Sequence, residues 1–599
     1  MKRLFFFLFA VLFSSLLFSQ NTELITNIDG RNTIDLNGAW HIIIDPYENG
    51  YYNYRQQPDP NGYYMNAKPQ NKSERIEYNF DASETLNVPG DWNTQKEKFL
   101  FYEGTIWYKN SFDYKKKNNT RVFLYIGAAN YQSIVFLNGE KIGEHVGGFT
   151  PFNFEISDKI KNGENFVIVK VDNKRLREGV PTLNTDWWNY GGITRDVKLI
   201  ETPETFIRDY FIQLKKGSAD QIVGWVQLDG VNLNREIHLQ FPEAKVDQTI
   251  TTNEKGRGHI NIKADLTLWS PQNPKLYDVT ITSDSEEIKD RIGFRSIETH
   301  GSEIFLNGKK IFLKGISIHE EAPLRSARAY SLEDSQKLLG MAQELGCNFV
   351  RLAHYPHNET MIREADRKGI LVWSEIPVYW TIQWENNSTF KNASNQLMEM
   401  INRDKNRAAI ILWSVGNETP RSEMRLEFMK KLTEKVRILD STRLITAATE
   451  IHYIDPKTIM TDDPLGKYLD VLGCNEYIGW YDGLPAKADS IKWVSAYNKP
   501  LVISEFGSDA KFGFHADTST IWSEEFQENV YIHQINMLKK ISTLQGISPW
   551  ILMDFRSPRR SLPGILDFFN RKGLFSNLGE KKKAFYILRD FYNSDFTRN

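Results

Sequence analysis

The feature that most constrains the fold is a series of eight short apolar runs between residue 297 and the C-terminus. Amphipathic segments such as SLEDSQKLLGMAQELG and SEMRLEFMKKLTEKVRILD separate several of the runs. Runs that are apolar throughout are typical of parallel strands buried on both faces. Eight such strands joined by crossovers predict a (β/α)8 TIM barrel over residues 297–599. The runs are IFLKGISIHE, CNFVRLAHY, GILVWSEIP, AIILWSVGNE, RLITAATE, VLGCNEY, PLVISEFG and GISPWILMDF.

The chain before residue 297 has a different pattern. Residues 28–200 contain short alternating segments (RVFLYIGAA, SIVFLNGEKIG, NFVIVKVDN) separated by Gly, Asn and Pro, which predict an antiparallel jelly-roll β-sandwich. Residues 201–296 continue with IVGWVQLDG, EIHLQF and GHINIKADL, a length and spacing typical of one immunoglobulin-like β-sandwich. A multidomain chain is expected because 599 residues exceed the size of a single compact domain.

The N-terminus has the pattern of a secretory signal peptide over residues 1–19. Lys2 and Arg3 precede an apolar run that continues to about residue 18, and small or polar residues follow. The run is too short for a transmembrane helix. We therefore expect a secreted protein, periplasmic in a host with two membranes.

Charge and cysteine content exclude several classes of protein. A formal net charge of −2 with both signs spread along the chain gives no reason to expect nucleic acid or a membrane as partner. The two cysteines, Cys347 and Cys474, lie inside apolar runs and are expected to be buried free thiols. We expect no metal site and no cofactor, and the sequence leaves open whether the chain forms a homo-oligomer.

Polar residues at the C-terminal ends of barrel strands form the active site of this fold. Glu418 ends the fourth predicted strand and Glu505 ends the seventh, so the two residues lie across the barrel mouth from one another. Retaining glycoside hydrolysis needs two carboxyl groups ~5 Å apart, one a nucleophile and the other a proton donor. A single Glu at a strand end is more often an ion-pair partner, so the prediction depends on the pair. Other polar residues at these ends are His319, Glu320, Glu321, Arg351, His354, Glu375, Asn417, Asn475, Glu476, Tyr477, Trp550 and Asp554.

Five motifs, in order, resemble glycoside hydrolase family 2, the family of β-galactosidases, β-mannosidases and β-glucuronidases. They are VPGDWN (88–93), DWWNYGGITRDV (186–197), RLAHYPH (351–357), WSVGNE (413–418) and ISEFG (503–507). The likeness covers essentially the whole mature chain. It implies a retaining exo-β-glycosidase in which Glu418 is the acid/base and Glu505 the nucleophile. It also implies that Asn417 binds the substrate 2-hydroxyl and that His354 lines the pocket.

The resemblance is strongest to the β-glucuronidases. Asn570 and Lys572 match an Asn-x-Lys pair that holds the substrate carboxylate there, and charge-assisted hydrogen bonds from Lys572 would select a uronic acid over a neutral sugar. We expect an exo-β-glucuronidase that releases terminal glucuronate from oligosaccharides or conjugates. The alternative is a β-galactosidase or β-galacturonidase of the same family. The resemblance further implies substrate-binding roles for Asp186, Tyr477, Tyr481 and Trp550.

Three points stay open at this stage. Leu566 stands where β-glucuronidases carry an Arg, and either Arg559 or Arg560 could replace it. The loop VYWTIQWENNSTF (378–390) either offers a stacking surface for a longer glycan or covers the barrel. The chain could also be a non-catalytic carbohydrate-binding protein on the same scaffold, but the presence of both glutamates disfavours this class of protein.

Overall fold

The computed structural model describes residues 23–58, 71–73, 78–284 and 286–594. The predicted signal peptide, residues 1–19, lies outside the described residues. Within the described ranges, no helix is long and apolar enough to cross a membrane.

The N-terminal domain is a β-sandwich whose two sheets enclose a core of large side chains such as Trp40, Trp92 and Val169. The four-stranded sheet has the order Thr33–Asp35, Val197–Pro203, Thr120–Ile126, Phe152–Glu155. The six-stranded sheet has the order Thr85–Val88, Gly38–Ile44, Thr105–Tyr114, Gly163–Asp172, Gln132–Leu137, Glu140–Val146. The strand Val197–Pro203 pairs with Thr120–Ile126 through Pro203, so this domain continues three residues past position 200.

The second domain is a smaller sandwich around Tyr210, Val226, Leu239 and Ile281. Its three-stranded sheet contains Phe206–Leu214, Gln221–Asp229 and Arg257–Lys263. Its four-stranded sheet contains Val246–Thr251, Glu236–Phe241, Tyr277–Ser283 and Glu286–Ile292. Alternating burial along Tyr277–Ser283 shows why this sequence forms a strand with one face toward the core.

The third domain is a closed barrel of eight parallel strands, preceded by the small sheet Ile297–His300, Glu303–Leu306, Lys309–Lys310. The barrel strands are β1 (Leu313–Ile318), β2 (Phe349–Leu352), β3 (Leu371–Glu375), β4 (Ile410–Asn417), β5 (Leu444–Thr449), β6 (Leu472–Asn475), β7 (Leu501–Glu505) and β8 (Leu544–Ile547). The helices around it are α1 (Leu332–Glu344), α2 (Glu359–Lys368), α3 (Asn387–Asp404), α4 (Glu423–Leu439), α5 (Glu524–Leu538) and α6 (Lys583–Asn593). Every residue of β4 is buried, as expected for a strand between a filled interior and an outer helix layer.

Two crossovers depart from the regular pattern. The connections after β5 and β6, which lie wholly within the described residues, contain the 3-10 turns Pro464–Lys467 and Pro485–Ser490 in place of α-helices. Both turns begin with proline, which suits the first helical position because the N–H there has no intrahelical partner. Strands His452–Asp455, Thr458–Thr461 and Lys492–Ser495 form an extra sheet beside these turns.

The N-terminal sandwich packs over the barrel through buried polar contacts. Arg195 Nη2 donates to Glu320 Oε2 at 3.1 Å and to the Pro356 carbonyl at 2.7 Å. The Arg328 backbone N–H donates to Asp91 Oδ2 at 3.0 Å. Both sandwich motifs, VPGDWN and DWWNYGGITRDV, therefore supply residues to the interface with the barrel.

The structure confirms the predicted fold class: jelly-roll-type sandwich, immunoglobulin-like sandwich and TIM barrel. Cys347 and Cys474 are buried free thiols, as predicted.

Candidate active site

The two predicted glutamates lie at the C-terminal mouth of the barrel. Glu418 is the first residue after β4, whereas Glu505 is the last residue of β7. The strands β5 and β6 lie between them in the barrel order. Asn475, which ends β6, donates from Nδ2 to Glu418 Oε1 at 2.8 Å. The site is thus assembled from strand ends that are neighbours in space but distant in sequence.

Glu418 is turned toward the mouth by its backbone. Its φ of 46° lies in the left-handed region, which non-glycine residues adopt at a cost on the order of 1 kcal/mol. Its N–H still donates to the Ala448 carbonyl at 2.8 Å, so the turn is anchored to β5. The Trp380 indole N–H donates to Glu418 Oε2 at 2.7 Å. Each carboxyl oxygen of Glu418 therefore has one fixed hydrogen-bond donor.

The surroundings of Glu418 favour its protonated form. Burial of the carboxyl group raises its pKa, and the nearby negative charge of Glu505 raises it further, to about 7. This happens although the hydrogen bonds from Asn475 and Trp380 act in the opposite direction. A carboxylic acid with a pKa near neutral can donate a proton to a leaving oxygen at physiological pH.

Glu505 has the partners of a carboxylate. Arg351 Nη1 donates to its Oε1 at 2.7 Å, and the Tyr477 hydroxyl donates to its Oε2 at 2.7 Å. Burial, followed by the charge of Glu505, keeps the pKa of Tyr477 well above its usual value of 10, so Tyr477 remains a donor. Both oxygens of Glu505 are held in place, which orients the group for attack on a sugar carbon.

Arg351 is the shared partner of several of these groups. It is fully buried, and its Nη2 donates to Glu375 Oε1 at 3.0 Å and to Asn417 Oδ1 at 2.7 Å. Burial alone would raise the pKa of Glu375, but Arg351 and His354 bring it down to about 2. Glu375 is therefore ionised, and Arg351 faces two carboxylates, those of Glu375 and Glu505.

Asn417 is oriented by the same contacts. Its Oδ1 accepts from Arg351 and, at 3.1 Å, from Asn475 Nδ2. With the oxygen used by two protein donors, the amide nitrogen is the end left for a substrate hydroxyl. The predicted contact of Asn417 with the 2-hydroxyl fits this orientation.

Aromatic rings form one wall of the mouth. Trp550 stacks on His354 with ring centroids 4.7 Å apart, and only 4 % of Trp550 is exposed. Trp187, from the N-terminal sandwich, meets Tyr379 edge-on at 4.9 Å, and Tyr379 lies 4.8 Å from His354. His354 Nδ1 lies 2.9 Å from Glu375 Oε1, so the wall is tied to the charged network. Trp550 mainly fixes His354 and offers little of its own surface to the mouth.

A second polar cluster contains the other predicted substrate-binding residues. Lys572 is 1 % exposed, and its Nζ donates to Asp509 Oδ2 at 2.7 Å and to the Tyr481 hydroxyl at 2.9 Å. Burial lowers the pKa of Lys572, but Asp509 outweighs burial and the pKa is raised, so Lys572 is a cation. The rings of Tyr481 and Tyr477 lie 5.2 Å apart, and Tyr477 bonds to Glu505, so this cluster lies beside Glu505.

Asp186 reaches the same cluster from the N-terminal sandwich. Asn570 Nδ2 donates to its Oδ2 at 3.2 Å and Ser557 Oγ to its Oδ1 at 2.6 Å, and Arg560 forms an ion pair with it. Burial would raise the pKa of Asp186, but Arg560 lowers it. The predicted contact of Asp186 with outer sugar hydroxyls would therefore be shared with three protein donors.

The sequence interpretation gave no role to several residues of the site. The sequence showed only that Arg351, Glu375 and Asn475 are polar residues at strand ends. For Arg351, the available signal was a charged residue inside an otherwise apolar run. In the loop 378–390, Trp384 packs edge-on against Phe428 at 5.3 Å, which fits the covering role, and the Trp380 N–H bonds to Glu418. A stacking surface for a longer glycan stays a prediction. Residue spacing carries no information on contacts of this kind.

The chain belongs to glycoside hydrolase family 2. Its barrel, residues 297–593, matches the family's TIM barrel domain, residues 35–203 match the family's sugar binding domain, and residues 205–295 match the family's intervening domain. The protein is accordingly a glycoside hydrolase.

Comparison with individual proteins agrees with this membership. A putative β-glucuronidase of Formosa agariphila is 27 % identical over 92 % of this chain and 72 % of its own length. The β-glucuronidase of Sus scrofa is 28 % identical over 94 % of this chain and 90 % of its own. Among solved structures, the Bifidobacterium dentium β-glucuronidase complexed with coumarin-3-O-glucuronide has a TM-score of 0.82 and 24 % identity, with coverage of 95 % and 98 %. A β-galacturonidase from Eisenbergiella tayi bound to galacturonate has a TM-score of 0.78 and 23 % identity, with coverage of 95 % and 99 %. The structural matches share the fold.

The environment of Glu418 predicts the pH dependence of the reaction. For a substrate with a poor leaving group, kcat/KM should hold below pH 7 and fall about tenfold per pH unit above it, because Glu418 loses its proton. The measurement is a pH profile of kcat/KM for an alkyl glycoside. Glu418→Ala assayed with a 4-nitrophenyl glycoside is the control, since that leaving group needs little protonation. An alkaline limb that persists unchanged in this variant would assign the titration to another group.

Proposed function

We propose that the protein is a retaining exo-β-glucuronidase that releases terminal glucuronate from oligosaccharides or glycoconjugates. The observation that carries the proposal is the buried ammonium of Lys572, fixed between Asp509 and Tyr481 next to the residue that holds Glu505. Burying a cation is costly unless it is paired, and Asp509 supplies that pairing within the protein. The remaining N–H group of the Lys572 ammonium suits a charge-assisted hydrogen bond to the C6 carboxylate of a uronic acid. The neighbouring Asn570 supplies a further polar group.

The two relatives cited above support the proposal, because one is named a putative β-glucuronidase and the other a β-glucuronidase. A second candidate is a β-galacturonidase, favoured by the structural likeness to the Eisenbergiella tayi enzyme. Galacturonate differs from glucuronate only at C4 and would use the same cation. A plain β-galactosidase is disfavoured, since a neutral C6 hydroxyl would not use the charge of Lys572, whose third N–H group remains after the bonds to Asp509 and Tyr481.

The proposed reaction has two displacement steps. In the first, the Glu418 proton passes to the glycosidic oxygen while Glu505 attacks C1. The bond from C1 to that oxygen breaks, and the leaving group departs as a neutral alcohol. In the second, ionised Glu418 takes a proton from a water molecule whose oxygen attacks C1 and releases Glu505. Inversion occurs twice, so the product keeps the β configuration.

The charges of the site suit this reaction. Arg351 is shared between the carboxylates of Glu375 and Glu505 and neutralises only part of their charge, while Glu418 is protonated. The transition state develops positive charge at C1 and the ring oxygen, which the remaining negative charge stabilises. A non-catalytic carbohydrate-binding protein would have no need of a protonated acid opposite a held carboxylate.

We further propose that the enzyme is exported and acts on external polysaccharide fragments. The proposal is motivated by the signal-peptide pattern in residues 1–19, which lie outside the described part of the chain. Fractionation of the producing cells tests this proposal. Activity should be found in the periplasmic or extracellular fraction, and activity confined to the cytoplasm would contradict the proposal.

A matched panel of 4-nitrophenyl glucuronide, galacturonide, glucoside and galactoside tests the substrate. We expect the glucuronide to have the highest kcat/KM. Lys572→Ala should lower that value by roughly 10- to 100-fold, the loss of a charged hydrogen bond, with a much smaller change for the neutral sugars.

The control for this variant is Lys572→Ala combined with Asp509→Asn, because the single change leaves a buried Asp509 without its cation. If the double variant regained glucuronide turnover, the loss would reflect the orphaned carboxylate. Preference for the galactoside in the native enzyme, with intact glucuronide turnover in Lys572→Ala, would overturn the uronate assignment.

A further inference from the structure

Two cations converge on one tyrosine hydroxyl in the second polar cluster. Lys572 Nζ donates to the Tyr481 oxygen at 2.9 Å, and Arg560 Nη2 donates to the same oxygen at 3.2 Å. A phenol oxygen that accepts from two donors keeps its own O–H proton directed elsewhere. The Tyr481 residue is 60 % exposed, so its hydroxyl lies at the boundary between the protein and the mouth.

We propose that Arg560 is the second cation of the anion site and a residue that determines specificity for an acidic sugar. The inference rests on the proposed function, because it assigns a partner to the carboxylate that Lys572 is proposed to bind. The position that carries an Arg in β-glucuronidases is Leu566 here, and Leu566 lies in the following turn with its N–H bonded to the Leu562 carbonyl. Arg560 comes from the preceding part of the same loop.

The remaining donors of the cluster suit a carboxylate. The bonds of Arg560 to protein atoms run through Nε and Nη2, within the described residues, which leaves Nη1 with two N–H groups. Lys572 uses two of its three N–H groups for Asp509 and Tyr481, which leaves one. Together with the Tyr481 O–H, these donors match the several acceptor sites of a carboxylate, which a single ammonium cannot fill.

Arg560 also makes the cluster electrically neutral. Lys572 is balanced by Asp509, and Arg560 is balanced by Asp186. Without Arg560, the two aspartates would outnumber the one lysine and repel an incoming carboxylate. Arg560 thus both supplies donors and cancels Asp186.

Arg559 is the neighbouring arginine, but its contacts are different. Its guanidinium carbon lies 4.8 Å from the centroid of the Trp380 ring, whose N–H bonds to Glu418. Any effect of Arg559 would therefore reach the acid/base group, which acts on acidic and neutral sugars alike. Arg559→Gln is the matched control for Arg560→Gln, since residue type, loop and substitution are the same.

The test compares kcat/KM for 4-nitrophenyl glucuronide and 4-nitrophenyl glucoside in each variant. Arg560→Gln should lower kcat/KM for the glucuronide by about 10- to 100-fold and change that for the glucoside by less than about threefold. The ratio of the glucuronide value to the glucoside value should therefore fall. Arg559→Gln should change both values by a similar factor. Arg560→Lys, which keeps the charge but not the forked geometry, should fall between the native enzyme and Arg560→Gln.

Combining Arg560→Gln with Asp186→Asn separates the two contributions of Arg560. Partial recovery of glucuronide turnover measures the cancelled charge, and the loss that remains measures direct donation. Equal losses for glucuronide and glucoside in Arg560→Gln, with thermal unfolding unchanged, would overturn the proposal, as would an unchanged ratio. If the native enzyme showed no preference for the glucuronide, the proposed function would fail instead, and the two failures are therefore distinguishable.

Discussion

The active site depends on Arg351, a fully buried guanidinium that contacts the ends of three other strands. It pairs with Glu375 at 3.0 Å and with Glu505 at 2.7 Å, and it bonds to Asn417 at 2.7 Å. Removing Arg351 would destabilise the protein far more than the net contribution of its ion pairs suggests, because the carboxylates would then be buried without a counter-ion. One residue thus fixes the position of the proposed nucleophile and of the amide that would bind the substrate.

The same network accounts for the division of roles between the two glutamates. The contacts of Glu505 are a cation and a phenol, whereas those of Glu418 are the neutral N–H groups of Asn475 and Trp380. Burial of Glu418 and, after it, the nearby charge of Glu505 disfavour its ionised form, so Glu418 takes up a proton near neutral pH. The proposed acid and the proposed nucleophile are identical side chains that differ in the hydrogen-bond donors around them.

The fold and the two glutamates could be predicted from the sequence because both depend on local patterns. Each barrel strand is a continuous apolar run, and Glu418 and Glu505 stand out because they end such runs. The network of Arg351 could not be predicted, since it joins strands whose residues are far apart in the chain. Arg559 and Arg560 were indistinguishable for a similar reason: two adjacent arginines differ only in the direction that the loop gives them. After β5 and β6, short 3-10 turns and an extra sheet replace α-helices, and the long-range pairing of that sheet is not revealed by periodicity alone.

The most direct test of the account is to trap the covalent intermediate. The enzyme is incubated with a 2-deoxy-2-fluoro-β-glucuronosyl fluoride. Its fluorine at C2 slows both displacements, while its good leaving group speeds the first, so that the covalent intermediate accumulates. Intact mass and peptide mapping then identify the labelled residue. The account predicts one sugar per chain, attached to Glu505, with labelling slowed by an excess of glucuronate. A label on another carboxylate, or turnover of the native substrate with inverted configuration and no label, would contradict it.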